Sequence, residues 1–96
     1  MIIWVLYDIK NNRARSQVAK ACLHSGLYRV QYSCFLGSLN PNEKDSLALQ
    51  IEGVIDEKSD KIYIFQMNKD QLKDCIMLGQ AFDEKLITDE IKSLFF

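Results

Sequence analysis

The sequence predicts an α+β domain: an antiparallel sheet with helices packed on one side. Three observations carry that expectation. Apolar residues alternate with period two in some stretches and recur at helical spacing in others, in the order strand, helix, strand, helix, strand. Cap and turn residues fall at the joints between those stretches. At 96 residues, 48% hydrophobic and 26% charged, the chain has the size and composition of one globular domain.

The first strand is "IIWVLY", from Ile2 to Tyr7, rich in β-branched and aromatic residues and running into Asp8. Asn11 or Asn12 then caps a helix running to about Ser25. Its apolar stripe is Ala14, Val18, Ala21 and Cys22, and Gly26 ends it in a left-handed cap. Arg13, Gln17, Lys20 and His24 share the polar face of this helix, with Arg15 on the opposite flank. From Leu27 to Leu36 the period returns to two, with Tyr28, Val30, Tyr32, Cys34 and Leu36 on one side. Ten residues is long for one strand, so a break near Gln31 to Ser33 is expected. "NPNE" starts the second helix, with Asn40 as N-cap, Pro41 in the first position and Glu43 positioned for a capping box. Leu47, Ala48, Ile51, Val54 and Ile55 form its apolar side. "KIYIFQM" is a further strand, followed by a turn around Asn68 to Leu72, and "DCIMLG" reads equally as a short strand or a helical turn. Residues 80–96 form a tail in which Leu86, Ile87, Ile91, Leu94 and Phe95 fall at helical spacing, which predicts a short amphipathic helix.

This order is the split βαβ plan of ferredoxin-like folds, βαββαβ, with both helices on one face of an antiparallel sheet. The strands do not suit a sheet covered on one face only. Ile3, Val5 and Tyr7 occupy one side of the first strand, but Ile2, Trp4 and Leu6 occupy the other. The second face therefore needs a cover, and a second copy of the chain is the simplest one.

The formal net charge of −1 hides an asymmetry. Through Asn42, five cations (Lys10, Arg13, Arg15, Lys20, Arg29) face the single acid Asp8, and the acids concentrate after that point. Such a division offers a local anion-binding surface, whose plain alternative is a solvated helix face. Asp8 invites two readings. It could cap the turn into the helix or pair with Arg13 or Arg15. Alternatively it is a ligand for Mg²⁺, a cation often held by one or two carboxylates with water and phosphate completing the shell. In a symmetric dimer, one ion near the twofold axis would be shared by Asp8 of both chains. A Ser/His/Asp nucleophile, a zinc motif and a Gly-rich phosphate loop all lack their residues: His24 is the lone histidine, and Cys22, Cys34 and Cys75 are widely spaced. No apolar stretch approaches the ~20 residues that span a bilayer, which predicts a cytoplasmic protein without a membrane partner.

"VLYDI", "VAKACLHSGLYRVQYSCFLGSL" from Val18, and "DKIYIFQM" resemble the small CRISPR-associated Cas-two family, in order and in spacing, from Ile2 to about Gly79. The resemblance implies a homodimer that works with the Cas-one integrase in capturing new spacers, binds double-stranded DNA and, in some members, cleaves RNA or DNA with a metal ion. It implies that Asp8 is the metal aspartate and Tyr7 its neighbour. Arg15, Arg29, Ser33 and Phe35 match positions tied to nuclease activity or the dimer centre, and Arg13, Arg15, Lys20 and Arg29 would meet phosphates. The family's extra C-terminal strand would be Asp74 to Leu78, giving a domain over residues 1–79 and a tail beyond it. Gln17 departs from the family, standing where many members carry Arg or Lys. Two other roles share these features: a purely architectural, non-catalytic scaffold, and a toxin-type ribonuclease of the same fold with its own strand-end aspartate.

Overall fold

Residues 1–79 are described by the computed structural model. The strand Ile2–Asp8 (β1) lies inside a four-stranded sheet of order β2-β3-β1-β4, where β2 is Tyr28–Gln31, β3 is Cys34–Ser38 and β4 is Lys61–Met67. All three pairings are antiparallel, with Trp4 opposite Leu36 on one side and Phe65 on the other. Helices Asn12–His24 (α1) and Pro41–Glu52 (α2) connect the strands in the split βαβ order expected from the sequence. The tail helix expected over residues 80–96 lies outside the described residues.

The local signals act as their chemistry requires. Asn11, not Asn12, caps α1, its Oδ1 accepting from the Ala14 N–H at 2.9 Å. Gly26 ends that helix at φ +91, a conformation that a Cβ would penalise. Asn40 and Glu43 form a reciprocal capping box around α2, with Pro41 in its first turn. The long period-two stretch breaks where expected. Tyr32 and Ser33 form a two-residue turn, Ser33 takes φ +61, and the β2–β3 register shifts between Arg29 and Gln31. The N–H of Tyr7 donates to the Ser33 carbonyl at 3.0 Å, tying this turn to the central strand.

Two apolar layers result. On the helix side, Ile3, Val5, Tyr7 and Phe35 pack against Val18, Cys22, Leu47 and Ile51. The buried stripe of α1 includes Ala19, whereas Ala21 is only partly buried. The two flank the Ala14, Val18, Cys22 row on opposite sides, and it is the flank toward Tyr7 and Arg29 that is closed over. On the other side, Ile2, Val30, Cys34 and Leu36 are buried under Leu72. Leu72 belongs to a short helix, Lys69–Lys73 (α3), where the sequence suggested only a turn. The chain thus supplies part of the cover that the second face was expected to need. Toward β4 the cover is thinner: Trp4 is half-buried, and Tyr63 and Phe65 are exposed. Trp4 stacks on Phe65 at 6.2 Å and donates its indole N–H to Met67 Sδ at 3.3 Å.

The strand expected over Asp74 to Leu78 does not form within the chain. Asp74 is the C-cap of α3, residues 75–78 pair with no strand, and Ile76 and Leu78 are exposed. The sheet's edge strands here are β2 and β4, and a strand needs an edge to pair with.

Two predictions follow from the packing. A Cβ on Gly37 would lie 2.8 Å from Leu27 Cδ2 and 3.2 Å from Leu27 Cα, so Gly37→Ala forces β3 and the segment after α1 apart. Overpacking of this kind costs about 1–3 kcal/mol, to be read as a lower denaturation midpoint. The thiols supply the second. Burial pushes Cys22 from 9.0 up to about 12 and Cys34 up to about 11, while Cys75 is exposed. At pH 8 one thiol of the folded protein should react with a disulfide reagent, and three in denaturant. Because the folded state holds those two protons more tightly than the unfolded chain, stability is full below pH 9 and falls as pH rises toward 11 and 12. Cys22→Ala should flatten that decline in urea midpoints measured between pH 8 and 10.5.

Candidate nucleic-acid interface

Where β1 ends, the period of two sends Tyr7 to the helix side and Asp8 to the other. Tyr7 lies at the base of a cleft of about 270 Å³, whose walls include Arg15 and Lys20 from α1, Arg29 from β2, and Tyr32 and Ser33 from the hairpin turn. Arg15 and Lys20 stay on this flank because Ala19 and Ser16 between them are small. Among the described residues, no acidic one lines the cleft.

Arg29 organises it. Its guanidinium carbon lies 5.2 Å from the Phe35 ring centroid and 5.8 Å from that of Tyr32, a cation between two aromatic faces. Its Nε is buried and has no hydrogen-bond partner among the described residues. Phe35, wholly buried, also stacks against Tyr7 at 6.2 Å. Burial raises the Tyr7 pKa from 10.0, with the neighbouring Arg29 guanidinium pulling weakly the other way. The phenol therefore stays protonated at neutral pH and acts as a hydrogen-bond donor. Arg15 is held from beneath, its guanidinium donating to the Ile9 carbonyl at 3.1 Å and to Asn12 Oδ1.

Of the residues singled out in the sequence, Tyr7, Arg15, Lys20, Arg29 and Ser33 converge here, with Phe35 beneath them. Arg13 is exposed on α1 and does not line the cleft. Asp8 is also apart: it is exposed at the end of β1, opposite Lys61 in register, on the side of the sheet that carries Leu6 and Trp4. Of its structural alternatives, the cap of α1 is supplied by Asn11, and Arg15 donates to the Ile9 carbonyl and Asn12 Oδ1. Tyr32 is the cleft residue the sequence reading passed over. An aromatic at the middle of a predicted strand break was the available signal.

Among the described residues no group of three or more His, Cys, Asp or Glu could hold a metal ion. None of the described helices is long and apolar enough to cross a membrane.

Residues 1–75 match the family model described as CRISPR associated protein Cas2. The chain is 36% identical over 80 residues to CRISPR-associated endoribonuclease Cas2 2 of Chloroflexus aurantiacus, covering 83% of this chain and 94% of that protein. It is 40% identical over 67 residues to CRISPR-associated endoribonuclease Cas2 1 of Archaeoglobus fulgidus, covering 70% and 71%. Its fold superposes on the crystal structure of Streptococcus pyogenes Cas2 with a TM-score of 0.70 at 30% identity, covering 82% of this chain and all of that one. With the family match spanning the sheet, both long helices and the whole cleft, this chain belongs to the CRISPR-associated Cas2 family.

Proposed function

We propose that the chain acts as a homodimeric CRISPR adaptation protein, partner of the Cas-one integrase. In this reading it holds nucleic acid through the Arg15, Lys20 and Arg29 cleft and cleaves phosphodiesters with Mg²⁺ at Asp8. The observation that carries the reading is the convergence of three cations from different elements on one acid-free cleft. Phosphate oxygens are the ligands such a site favours, and contacts of this kind position nucleic acid without reading its sequence. The relatives' name, endoribonuclease, supports cleavage and points to RNA alongside duplex DNA.

The chemistry of Asp8 suits a hard cation. One carboxylate per chain is a sparse donor set, and it fits Mg²⁺ where a second copy and a substrate phosphate complete the shell. Such an ion supplies Lewis acidity and a more acidic bound water. The chain's own residues do the rest. Arg15, Lys20 and Arg29 balance phosphate charge, the protonated Tyr7 donates a hydrogen bond from the base of the cleft, and Phe35 fixes Arg29. The exposed Tyr63 and Phe65 beside half-buried Trp4 form the surface on which a second copy would sit, bringing the two Asp8 ends toward each other. Residues 1–79 are the working unit, and segment 74–78, with Ile76 and Leu78 exposed, would pair with the partner's sheet edge.

A scaffold without catalysis is the second reading, favoured by one feature. Asp8 and the cleft lie on opposite sides of β1, so binding does not need the carboxylate. The same substitution separates the two. Asp8→Ala should abolish Mg²⁺-dependent cleavage of RNA or DNA, leave the dimer intact in sedimentation, and change duplex affinity by less than about twofold. A parent protein that binds but never cleaves supports the scaffold, and a clean monomer overturns the dimer.

Duplex binding is tested through salt. Three phosphate contacts per chain give six per dimer, for a log–log salt slope of roughly −5. Removing Arg15 and Lys20 together should leave a slope of about −2, whereas changing Lys69, in the acidic half, should leave it unaltered. A slope near zero in the parent would end the nucleic-acid reading.

A further inference from the structure

Tyr32 is 88% exposed in the two-residue turn, so core packing does not explain it. One of its neighbours is the Arg29 guanidinium, which Phe35 supports from its own side. The guanidinium carbon lies 5.8 Å from the ring centroid, and almost all of the ring surface remains open. It lines the same cleft as Arg15 and Lys20. At about 270 Å³ that cleft sits at the small end of ligand pockets, with room for one nucleotide unit rather than two.

From this placement we infer that the cleft takes one unstacked nucleotide of a single strand or frayed end, its phosphate meeting Arg15 and Lys20 and its base stacking on the open face of Tyr32. The inference rests on the nucleic-acid reading above and names a substrate form within it. A base inside a duplex has both faces occupied by its neighbours, so it has no face to offer Tyr32. An unpaired base has one, and stacking on an aromatic ring is available to every base. Arg29 adds to this, because a cation behind the ring and a base before it are both attracted to its π-face. The cleft would then grip strand ends, while Arg13 and other surface cations follow the backbone outside it.

The experiment titrates the full-length protein with a short labelled single strand, an abasic strand of equal length and a duplex, all at one salt concentration. Tyr32→Ala should weaken single-strand binding about tenfold, Tyr32→Phe should retain it, and duplex affinity should change less than about twofold. The parent should bind the abasic strand as weakly as Tyr32→Ala binds the ordinary one. Equal affinity of the parent for ordinary and abasic strands overturns the inference while leaving the phosphate reading intact. So does an equal loss for strand and duplex, or a Tyr32→Ala protein that sediments as a monomer, which would assign the ring to the dimer contact. Absence of salt-sensitive binding to any of the three nucleic acids overturns the underlying reading instead.

Discussion

Every functional placement in this protein depends on β1 being an interior strand with apolar residues on both faces. Ile3, Val5 and Tyr7 bind the sheet to α1 and α2, and Ile2, Trp4 and Leu6 hold the opposite layer. A strand paired on both sides cannot slip by one residue without exchanging these two sets, so its register is strongly fixed. That fixed register also assigns the last two residues. Tyr7 must end among the helices and Asp8 must end on the other side. The protein thus separates its anion-binding cleft from its carboxylate by one strand thickness, using nothing more than alternation.

The cleft is kept open by a balance of small and large residues. Ala19 and Ser16 leave space along α1, while the wholly buried Phe35 ring supports Arg29 and the exposed Tyr32 ring lies 5.8 Å from its guanidinium carbon. Burying part of a guanidinium costs desolvation energy, and here aromatic faces offset some of it without a carboxylate. A carboxylate partner would have neutralised the cation, while two rings leave its charge available to a phosphate. Tyr7 works in the same sense. Burial holds its proton in place, so the base of the cleft presents a donor and no negative charge.

Much of this was legible in the sequence because it is written in short-range chemistry. The capping box at Asn40 and Glu43, the left-handed Gly26 and the break before Cys34 are local signals, and each appears where its residues stand. The candidate residues Tyr7, Arg15, Lys20, Arg29 and Ser33 line one cleft, and their convergence depends on tertiary contacts. Spacing on α1 places Arg13 and Lys20 on one polar face. The structure instead uses Lys20 with Arg15, because the flank containing Ala19 is the one that β2 closes over. The α3 helix escaped because five residues carry too little periodicity, although Asn68 and Gln71 form its capping box as plainly as Asn40 does in α2. The segment after it pairs with no strand of the described chain for a different reason. Strand formation requires an edge, and no local pattern in residues 74–78 says which edge or whose.

The division of charge follows the same geometry. Six of the twelve acids after Asn42 lie on α2 or in the loop that includes Asp56 and Asp60, and some of them serve local turns: Asp56 accepts from the Lys58 N–H and the Ser59 hydroxyl, and Asp60 from the Asp56 N–H. A ligand at the cleft meets instead the field of Arg15, Lys20 and Arg29 at close range, and exposed charges more than a Debye length away, about 8 Å at physiological salt, are largely screened. An overall charge of −1 therefore carries little information about what this surface attracts. On the far side of β1, Asp8 is exposed and stands opposite Lys61 in register, so a ligand in the cleft meets the three cations and not this carboxylate.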